Sequence, residues 1–369
     1  MCHGCPHAWQ FTIQNSTFRI PSRPSSPRNP LSPPCIPPKF VLHGLSSKSK
    51  FLAVAVEEPF PGHDLRTEEV TLASLKNHSD AHFDKLIPSN GFSRHIFDKY
   101  SKTGSASWAK WCWTNQVDFT GVAWDDLTGG GGFSKGEITM ITPLHGVIAH
   151  HTINGRGMYR RYRLASDPVD YPTVPANTVA TTDTSDPFTV VYFRDRQGAT
   201  VVRRIESYAH APGCDLTVIK LDQPVPPSIK VYKILPAFKS DGEEIDWQIH
   251  LQNQEVLITL RERQCVWYKI GEVRNNGCIL RFVPKQSVPM EYRIGNFNEK
   301  FRIVDSSGPS FIFLNGEPIL VSLNWTTGSS QVPGPGDASF ISSKLNLTRV
   351  THLIKLLSSN FDLKPISLR

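Results

Sequence analysis

The chain has 369 residues, of which 39% are hydrophobic and 20% charged, a composition typical of globular proteins. No apolar run approaches the roughly 18 residues that a membrane-spanning helix needs, so we expect no membrane span. The net charge is +7, but residues 1–56 carry six Lys and Arg residues and no acid, which leaves the remainder at +1. A nearly neutral remainder argues against the basic surface that a nucleic-acid-binding protein requires.

The amino-terminal segment, residues 1–60, is basic and rich in Pro and Ser, with eight prolines between Ile20 and Pro38. Such a composition does not bury a core, and it predicts a partly disordered extension. Residues 1–56 of this segment are Ser-rich and free of acids, which is also typical of an organelle transit peptide, although their arginines lack amphipathic helical spacing. The sequence therefore leaves the compartment open between an extracytoplasmic or secreted location and an organelle.

Residues 61–105 contain a helical pattern over Thr67–Ile87 and are predicted to form a helical extension or linker. Short β-patterns separated by turn residues follow within residues 106–369, and an amphipathic helix is predicted at Leu347–Leu357. Regular short strands with little helix predict an all-β barrel or sandwich. The β-patterns cover Val117–Trp124, Glu137–Pro143, Gly146–His151, Phe188–Phe193, Thr200–Ser207, Asp215–Leu221, Val231–Leu235, Glu255–Arg261, Cys278–Val283 and the hairpin Phe311–Leu323.

The first candidate for chemistry is a serine on a tight turn. Val304–Pro309 reads Val-Asp-Ser-Ser-Gly-Pro and leads into the apolar run Phe311–Leu314, after which Asn315-Gly316 closes a hairpin. A serine hydroxyl is a poor nucleophile, so acyl transfer needs an imidazole to take its proton and a carboxylate to orient that imidazole. The turn offers two candidates for the nucleophile, Ser306 and Ser307.

The other two groups lie upstream, in the order histidine, aspartate, serine. His151 ends a short apolar run, and Asp215 begins an alternating strand. The three residues are separated by 64 and 91 positions, and each lies at the end of a β-pattern, where the backbone can direct a side chain. An α/β-hydrolase would instead need the order serine, acid, histidine and a Gly-x-Ser-x-Gly turn, both of which are absent.

These three segments resemble motifs of the trypsin/chymotrypsin-like serine peptidase family, over approximately residues 106–360. Thr142–His151 is similar to the block that ends Ala-Ala-His, Asp215–Leu221 to the Asp-Ile-Ala-Leu-Leu-Lys-Leu strand, and Asp305–Pro309 to the Asp-Ser-Gly-Gly-Pro turn. The resemblance implies a double β-barrel with a carboxy-terminal helix, a polypeptide substrate, and an acyl-enzyme mechanism that needs no cofactor or metal. Because Thr152 stands where secreted animal trypsins have a cysteine, the chain is more similar to sparsely disulfide-bonded bacterial and environmental members.

The resemblance implies that Ser306 is the nucleophile, with Ser307 as the alternative, that His151 is the general base and that Asp215 orients it. It further implies that the amides of Ser306 and Val304 form the oxyanion hole and that Lys300 and Ser322 lie near the substrate pocket. The family usually has glycine where this chain has Val304 and where it has Ser307. At Val304 a β-branched residue resists the backbone angles that glycine adopts freely. Losing one oxyanion donor costs about 10²–10³ in turnover. The alternative function is therefore a catalytically weak or inactive homologue that serves as a binding module.

The remaining histidines and cysteines are assigned structural roles. His150 occupies a position where the family has a small buried residue, and His145 is expected to be solvated in the preceding turn. The seven cysteines form no dense framework, but Cys265 and Cys278 flank a hairpin-like segment that an oxidising compartment could bridge. Nothing in the sequence indicates an oligomeric state.

Overall fold

The computed structural model describes residues 70–86, 93–124, 137–154, 176–182, 184, 189–260, 262–273, 277–281, 305–324, 336–358 and 360–368. These residues belong to one compact unit. The predicted disordered segment 1–60 and the site candidates Val304 and Lys300 lie outside the described residues. The predicted boundary between residues 105 and 106 falls inside the compact unit.

Within the described residues the chain forms sixteen strands and four helices. The strands are β1 (Phe97–Lys99), β2 (Ser107–Trp108), β3 (Val122–Ala123), β4 (Ile138–Met140), β5 (His145–Ile148), β6 (Ala180–Thr181), β7 (Val190–Arg194), β8 (Thr200–His210), β9 (Thr217–Leu221), β10 (Lys233–Ile234), β11 (Glu255–Leu260), β12 (Gln264–Val273), β13 (Gly277–Arg281), β14 (Pro309–Leu314), β15 (Glu317–Asn324) and β16 (Gly336–Phe340). The helices are α1 (Leu75–Leu86), α2 (His150–Asn154), α3 (Trp247–Leu251) and α4 (Lys344–Leu357). The structure is therefore mostly β, as the sequence predicts.

The first sheet is a nearly closed barrel. Its strands pair in the order β3-β4-β5-β9-β8-β6, and β7 pairs with β8. The register of β8 shifts between Ile205 and Ser207, so its first half pairs with β7 and its second half with β9. The Trp124 amide, just after β3, donates to the Tyr192 carbonyl of β7 over 3.3 Å, which brings the two ends of the sheet together.

The second sheet is a closed barrel. Its strands pair in the order β15-β14-β11-β12-β13-β16, and β16 pairs back to β15. The predicted hairpin is confirmed as β14 and β15, joined by Asn315 and Gly316, which both have positive φ as a tight hairpin turn requires. β10 adds in parallel to β15, and its Ile234 also bridges to Pro365, with the Ile366 amide donating to the Ile234 carbonyl over 2.9 Å.

Three apolar clusters organise the two sheets. One cluster lies within the first sheet and another within the second. The third, called the shared cluster below, takes side chains from both sheets, from residues 83–119 and from α4. Alternate residues of β14 divide between the clusters, because Phe311 and Phe313 join the shared cluster while Ile312 and Leu314 join that of the second sheet. Strands buried on both faces therefore hold the two sheets together.

The first predicted strand, Val117–Trp124, is too long. Only Val122 and Ala123 form β3, because the Asp118 carboxylate accepts from the amide and hydroxyl of Thr120 and turns the chain. Gly121 then passes so close to Lys230 that a Cβ would lie 2.0 Å from the Lys230 carbonyl oxygen. A turn stabilised by a local side-chain bond replaces most of the strand.

The prediction for His145 is wrong. The Thr142 hydroxyl accepts from the amides of Leu144 and His145, so the turn ends at Leu144 and His145 begins β5 as a fully buried residue. Its Nδ1 lies 2.9 Å from the Thr142 hydroxyl. Burial, with a smaller contribution from Lys220, lowers the pKa of His145 to about 4, so its ring is neutral at pH 7.

The structure does not favour the possible bridge between Cys265 and Cys278. The two residues lie on neighbouring strands, but Cys265 is paired with Thr259 and Cys278 with Val273. Cys265 instead places its Sγ 3.4 Å from that of Cys112. Cys112, Cys214 and Cys265 are free thiols.

Two helices confirm the predicted helical segments with shifted starts. α1 begins at Leu75, after a turn in which Thr71 and Ser74 exchange side-chain hydrogen bonds with each other's amides. α4 begins at Lys344, where the Ser343 hydroxyl caps it by accepting from the Asn346 amide. Within the described residues, neither these helices nor any other combine the length and apolar character that crossing a membrane requires.

Helix α1 and the segment after it pack on the second sheet. Phe83 stacks on Trp267 with ring centroids 6.0 Å apart, and the Phe313 amide donates to the Ser79 hydroxyl over 3.1 Å. The amides of Ile96 and Cys265 bond to the carbonyls of Arg263 and Arg94 over 2.8 and 2.9 Å. Residues 70–100 therefore extend the barrel core.

We predict that a chain beginning at Ser101 unfolds at a lower temperature than one beginning at His63. The shorter chain loses buried side chains such as Leu75 and Phe83, each worth about 1.5–3 kcal/mol. The expected decrease in Tm is about 10 °C or more, or loss of a cooperative transition. Differential scanning calorimetry measures it, with the full chain as control. Equal Tm values for the two truncated chains would contradict the packing argument.

Candidate active site

The structure brings together the three residues that the sequence singled out. Asp215 Oδ2 lies 2.6 Å from His151 Nδ1, and His151 Nε2 lies 2.8 Å from the Ser306 hydroxyl. The His151 side chain is 46% exposed and that of Asp215 only 11%. The line of contacts therefore runs from a sheltered carboxylate, through a ring open to solvent, to a serine hydroxyl.

His151 is positioned by the end of β5. The sequence places it at a strand end, and in the structure the chain leaves β5 at Ala149 and enters the short helix α2 with His150. The Thr152 hydroxyl donates to the Ala149 carbonyl over 2.7 Å and closes this turn. His151 thus lies in the first turn of α2, with its ring directed outward.

Asp215 holds His151 at two points. Its Oδ1 accepts from the His151 backbone amide over 2.8 Å, while Oδ2 accepts from the ring. The turn that carries Asp215 joins β8 to β9, closed by a bond from the Ala211 amide to the Leu216 carbonyl over 2.9 Å. Because a carboxylate can only accept, Nδ1 carries the hydrogen and Nε2 is left as an acceptor for the Ser306 hydroxyl.

Ser306 lies in the turn that precedes β14. The Gly308 amide donates to the Asp305 carbonyl over 3.3 Å, and the Asn324 amide donates to the Gly308 carbonyl over 3.0 Å. A Cβ on Gly308 would lie 2.2 Å from the Thr259 carbonyl oxygen, so this position requires glycine. Close packing against β11 thus fixes the turn that presents Ser306.

The two adjacent serines have different environments. Ser307 is fully buried, and its hydroxyl accepts from the Ala149 amide over 2.9 Å, whereas the Ser306 hydroxyl faces His151. Ser307 also has φ of +78°, in the region that favours glycine. Geometry therefore favours Ser306 over the alternative Ser307 as the hydroxyl within reach of an imidazole.

His150 turns away from this line. Its Nδ1 lies 3.0 Å from the Thr217 hydroxyl, and its ring stacks on that of His210 with centroids 4.0 Å apart. Burial lowers the pKa of His150 to about 4, with a smaller contribution from His210, and burial also lowers the pKa of His210. Both rings are neutral at pH 7, so they add no charge beside Asp215.

Sequence reasoning missed a buried carboxyl group, that of Glu137, which contacts β11. Glu137 and Asp305 are both buried, and the Thr259 hydroxyl donates to Glu137 Oε2 over 2.5 Å. Burial, and to a lesser extent the Asp305 charge, raises the pKa of Glu137 to about 8. Its only signal in the sequence was an acid placed directly before an otherwise apolar strand.

Of the remaining predicted site residues, the structure describes Ser322 but not Val304 or Lys300. Ser322 lies in β15 and is fully buried, with no hydrogen-bond partner for its hydroxyl among the described residues. Its place near a substrate pocket stays a prediction, as do those of Val304 and Lys300. In the part of the chain that the structure describes, no group of three or more His, Cys, Asp or Glu side chains is arranged to hold a metal ion.

Comparison of the sequence with protein-family models and with curated proteins found no match. The chemistry of the site therefore has to be inferred from its geometry. Membership of the peptidase family remains a hypothesis that depends on the three short motifs.

The raised pKa of Glu137 predicts a pH-dependent stability. Glu137 keeps its proton in the folded chain up to about pH 8 but loses it near its ordinary pKa of 4.5 when unfolded. The folded state then binds more protons between these values, so the free energy of unfolding falls as pH rises from about 4.5 to 8 and levels off above. In Glu137→Gln this decline should disappear, which raises Tm relative to the wild type by about 5–10 °C at pH 8 and less at pH 5.

Thermal unfolding across pH 5–9 measures the effect. The exposed Glu243 provides the matched control, since Glu243→Gln should leave the pH dependence unchanged. A difference between Glu137→Gln and wild type that is constant with pH would contradict a protonated buried Glu137.

Proposed function

We propose that this chain is a serine endopeptidase of the trypsin/chymotrypsin-like type that hydrolyses polypeptides through an acyl-enzyme. The observation that carries the proposal is the unbroken line of hydrogen bonds from Asp215 through His151 to the Ser306 hydroxyl. Two barrel-like sheets contribute to this line, since His151 and Asp215 flank strands of the first and Ser306 precedes β14 of the second. These features match what the sequence resemblance implies.

Acylation would begin at Ser306. As its Oγ attacks the carbonyl carbon of the scissile peptide bond, the hydroxyl proton passes to His151 Nε2, and the carbonyl oxygen becomes an oxyanion. Asp215 holds Nδ1–H and stabilises the imidazolium that forms. The Oγ-to-Nε2 distance of 2.8 Å is suitable for this proton transfer.

Collapse of the tetrahedral intermediate would break the C–N bond. The proton on His151 Nε2 then passes to the leaving amine, and Ser306 Oγ stays bonded to the acyl group. In deacylation a water gives its proton to the same nitrogen and attacks the ester, and that proton returns to Ser306. The exposed ring of His151 is accessible to this water.

The oxyanion would be stabilised by backbone amides at the serine turn, for which Ser306 and Val304 are the predicted donors. Val304 and Ser307, which stand where the family has glycine, also favour the competing function, a catalytically weak or inactive homologue that acts as a binding module. The two functions differ in whether Ser306 is activated. A fluorophosphonate distinguishes them, because it forms a covalent adduct with an activated serine.

We predict that a fluorophosphonate probe labels the full chain and that mass spectrometry locates the adduct on Ser306. Ser306→Ala should abolish labelling, because it removes the attacking oxygen. His151→Ala should slow labelling by about 10³-fold or more, because no other group in the line can accept the proton. Release of peptides from a mixed peptide library should fall in parallel.

Ser310→Ala is the matched control. Ser310 is a buried serine of β14 whose hydroxyl has no hydrogen-bond partner in the described structure, so labelling should persist. A wild-type chain that is folded but not labelled would overturn the proposal of a peptidase and would favour the alternative of a binding module. An adduct on Ser307 would show that the assigned nucleophile is wrong by one position.

A further inference from the structure

Ser307 combines an unfavourable backbone with a buried hydroxyl. Its φ of +78° lies in the left-handed region, which a serine occupies at an energetic cost and a glycine does not. The residue is fully buried, so solvation of the hydroxyl does not compensate this cost. A serine in such a place suggests that its side chain makes a contact that glycine cannot replace.

That contact reaches the segment that carries the base. The Ser307 hydroxyl accepts from the Ala149 amide over 2.9 Å and lies 3.4 Å from the Thr152 hydroxyl. Ala149 directly precedes α2, and Thr152 Oγ1 donates to the Ala149 carbonyl over 2.7 Å. The turn that holds His151 is thus bonded from one side to its neighbour Thr152 and from the other to Ser307.

The backbone of Ser307 is bonded to the second sheet. Its amide donates to the carbonyl of Asn324, at the end of β15, over 2.7 Å. One residue therefore links β15 of the second sheet, the turn bearing Ser306, and the end of β5 in the first sheet. Its hydroxyl is the part of this link that crosses between the sheets.

We propose that Ser307 is a positioning residue that sets the distance between Ser306 and His151 by tying the serine turn to the Ala149 amide. The proposal rests on the proposed function, since it concerns the alignment of the same two reacting groups. A misplacement of about 1 Å in such a pair costs about 10²-fold in rate. The role requires the hydroxyl, whereas the fold requires only the left-handed backbone.

Two substitutions separate these requirements. Ser307→Gly relieves the backbone but removes the acceptor of the buried Ala149 amide, two effects of opposite sign and similar size, so its Tm should stay close to that of the wild type. Ser307→Ala also removes the hydroxyl but keeps a Cβ on the left-handed backbone, so its Tm should be lower than that of the wild type. Both should lower the maximal rate of fluorophosphonate labelling by about 10–100-fold and leave the half-saturating probe concentration within about twofold.

The outcomes are distinct. A reduced maximal labelling rate in a Ser307→Gly variant that is as stable as the wild type supports positioning. If the role were merely structural, the labelling rate would fall only when Tm falls. A rate within about twofold of wild type in Ser307→Gly overturns positioning and leaves the peptidase intact. Absence of labelling in the wild type overturns the proposed function and the positioning role with it. Ser310→Ala again controls for the loss of a buried serine hydroxyl.

A second observation, independent of the site, concerns Cys112 and Cys265. Their Sγ atoms lie 3.4 Å apart although the residues are 153 positions apart in sequence, and both side chains are buried. Hydrogen bonds hold the backbone of Cys265 in place. Its carbonyl accepts from Trp113 Nε1 over 3.1 Å, and its amide donates to the Arg94 carbonyl. The approach of the two sulfurs therefore depends on the packing of whole segments.

We infer that Cys112 and Cys265 form a disulfide when the chain folds with a disulfide oxidant such as oxidised glutathione. One cysteine thiolate attacks the oxidant and releases a glutathione thiolate. The second cysteine thiolate then displaces another glutathione from the mixed disulfide. The two protein thiols are oxidised by two electrons, and one oxidised glutathione becomes two reduced molecules. Since both sulfurs are buried, exchange takes place before the core closes.

Refolding the full chain in a glutathione redox buffer tests this inference. Peptide mapping without reductant should recover a linked pair containing residues 112 and 265, and the oxidised chain should unfold about 5–10 °C above the reduced chain. Cys112→Ser should abolish this difference in Tm, whereas Cys214→Ser, at a half-buried thiol, should not. Recovery of both residues as free thiols, or a link from Cys265 to Cys278, overturns the assignment.

Discussion

The shared cluster between the two sheets is the packing on which the site depends. His151 and Asp215 belong to the first sheet and Ser306 to the second, so their contacts exist only while the sheets keep their relative position. A hydrogen bond contributes about 1 kcal/mol net, too little to hold two barrels together. Burial of side chains such as Val147, Val218 and Phe311 provides the larger force, at about 25 cal/mol per Å² of apolar surface.

Polar contacts add direction to this packing. Apolar burial is not directional, and it would tolerate small rotations of one sheet against the other. Within the first sheet Asp215 holds both the backbone and the ring of His151, and within the second sheet the Gly308 contact with Thr259 fixes the serine turn on β11. The hydrogen bond accepted by the Ser307 hydroxyl then restricts movement between the sheets. Rigid positioning of this kind is what proton transfer between side chains requires.

Local patterns predicted most of the fold. Alternating apolar residues located most strands of the two sheets, although not β6, β12 or β16. Asn315-Gly316 identified the hairpin, and helical spacing identified α1 and α4. The errors at Val117–Trp124 and His145 share one cause, since Asp118 and Thr142 turn the chain through side-chain bonds that periodicity does not register. Spacing and order singled out three residues that the structure places in contact, although their roles stay predictions.

What the sequence could not predict depends on residues distant from one another. Nothing local relates Ser307 to Ala149, Cys112 to Cys265, or Glu137 to Thr259, because each pair meets only when separate strands are packed together. Glycine was the expected residue at position 307, so the serine looked like a weakened motif rather than a contact. In the structure the Ser307 hydroxyl forms a hydrogen bond with the Ala149 amide that a glycine could not form.

The pairing of β10 with residues 365–366 covers one strand edge of the second sheet. β10 is the only strand of the second sheet, among the described residues, that stands outside the closed ring, and it would otherwise present unpaired backbone groups along one side. The Pro365 bridge and the Ile366 amide occupy that side, and a proline offers no backbone donor to a further strand. The segment thus acts as a cover that denies a second chain a template for edge-to-edge association.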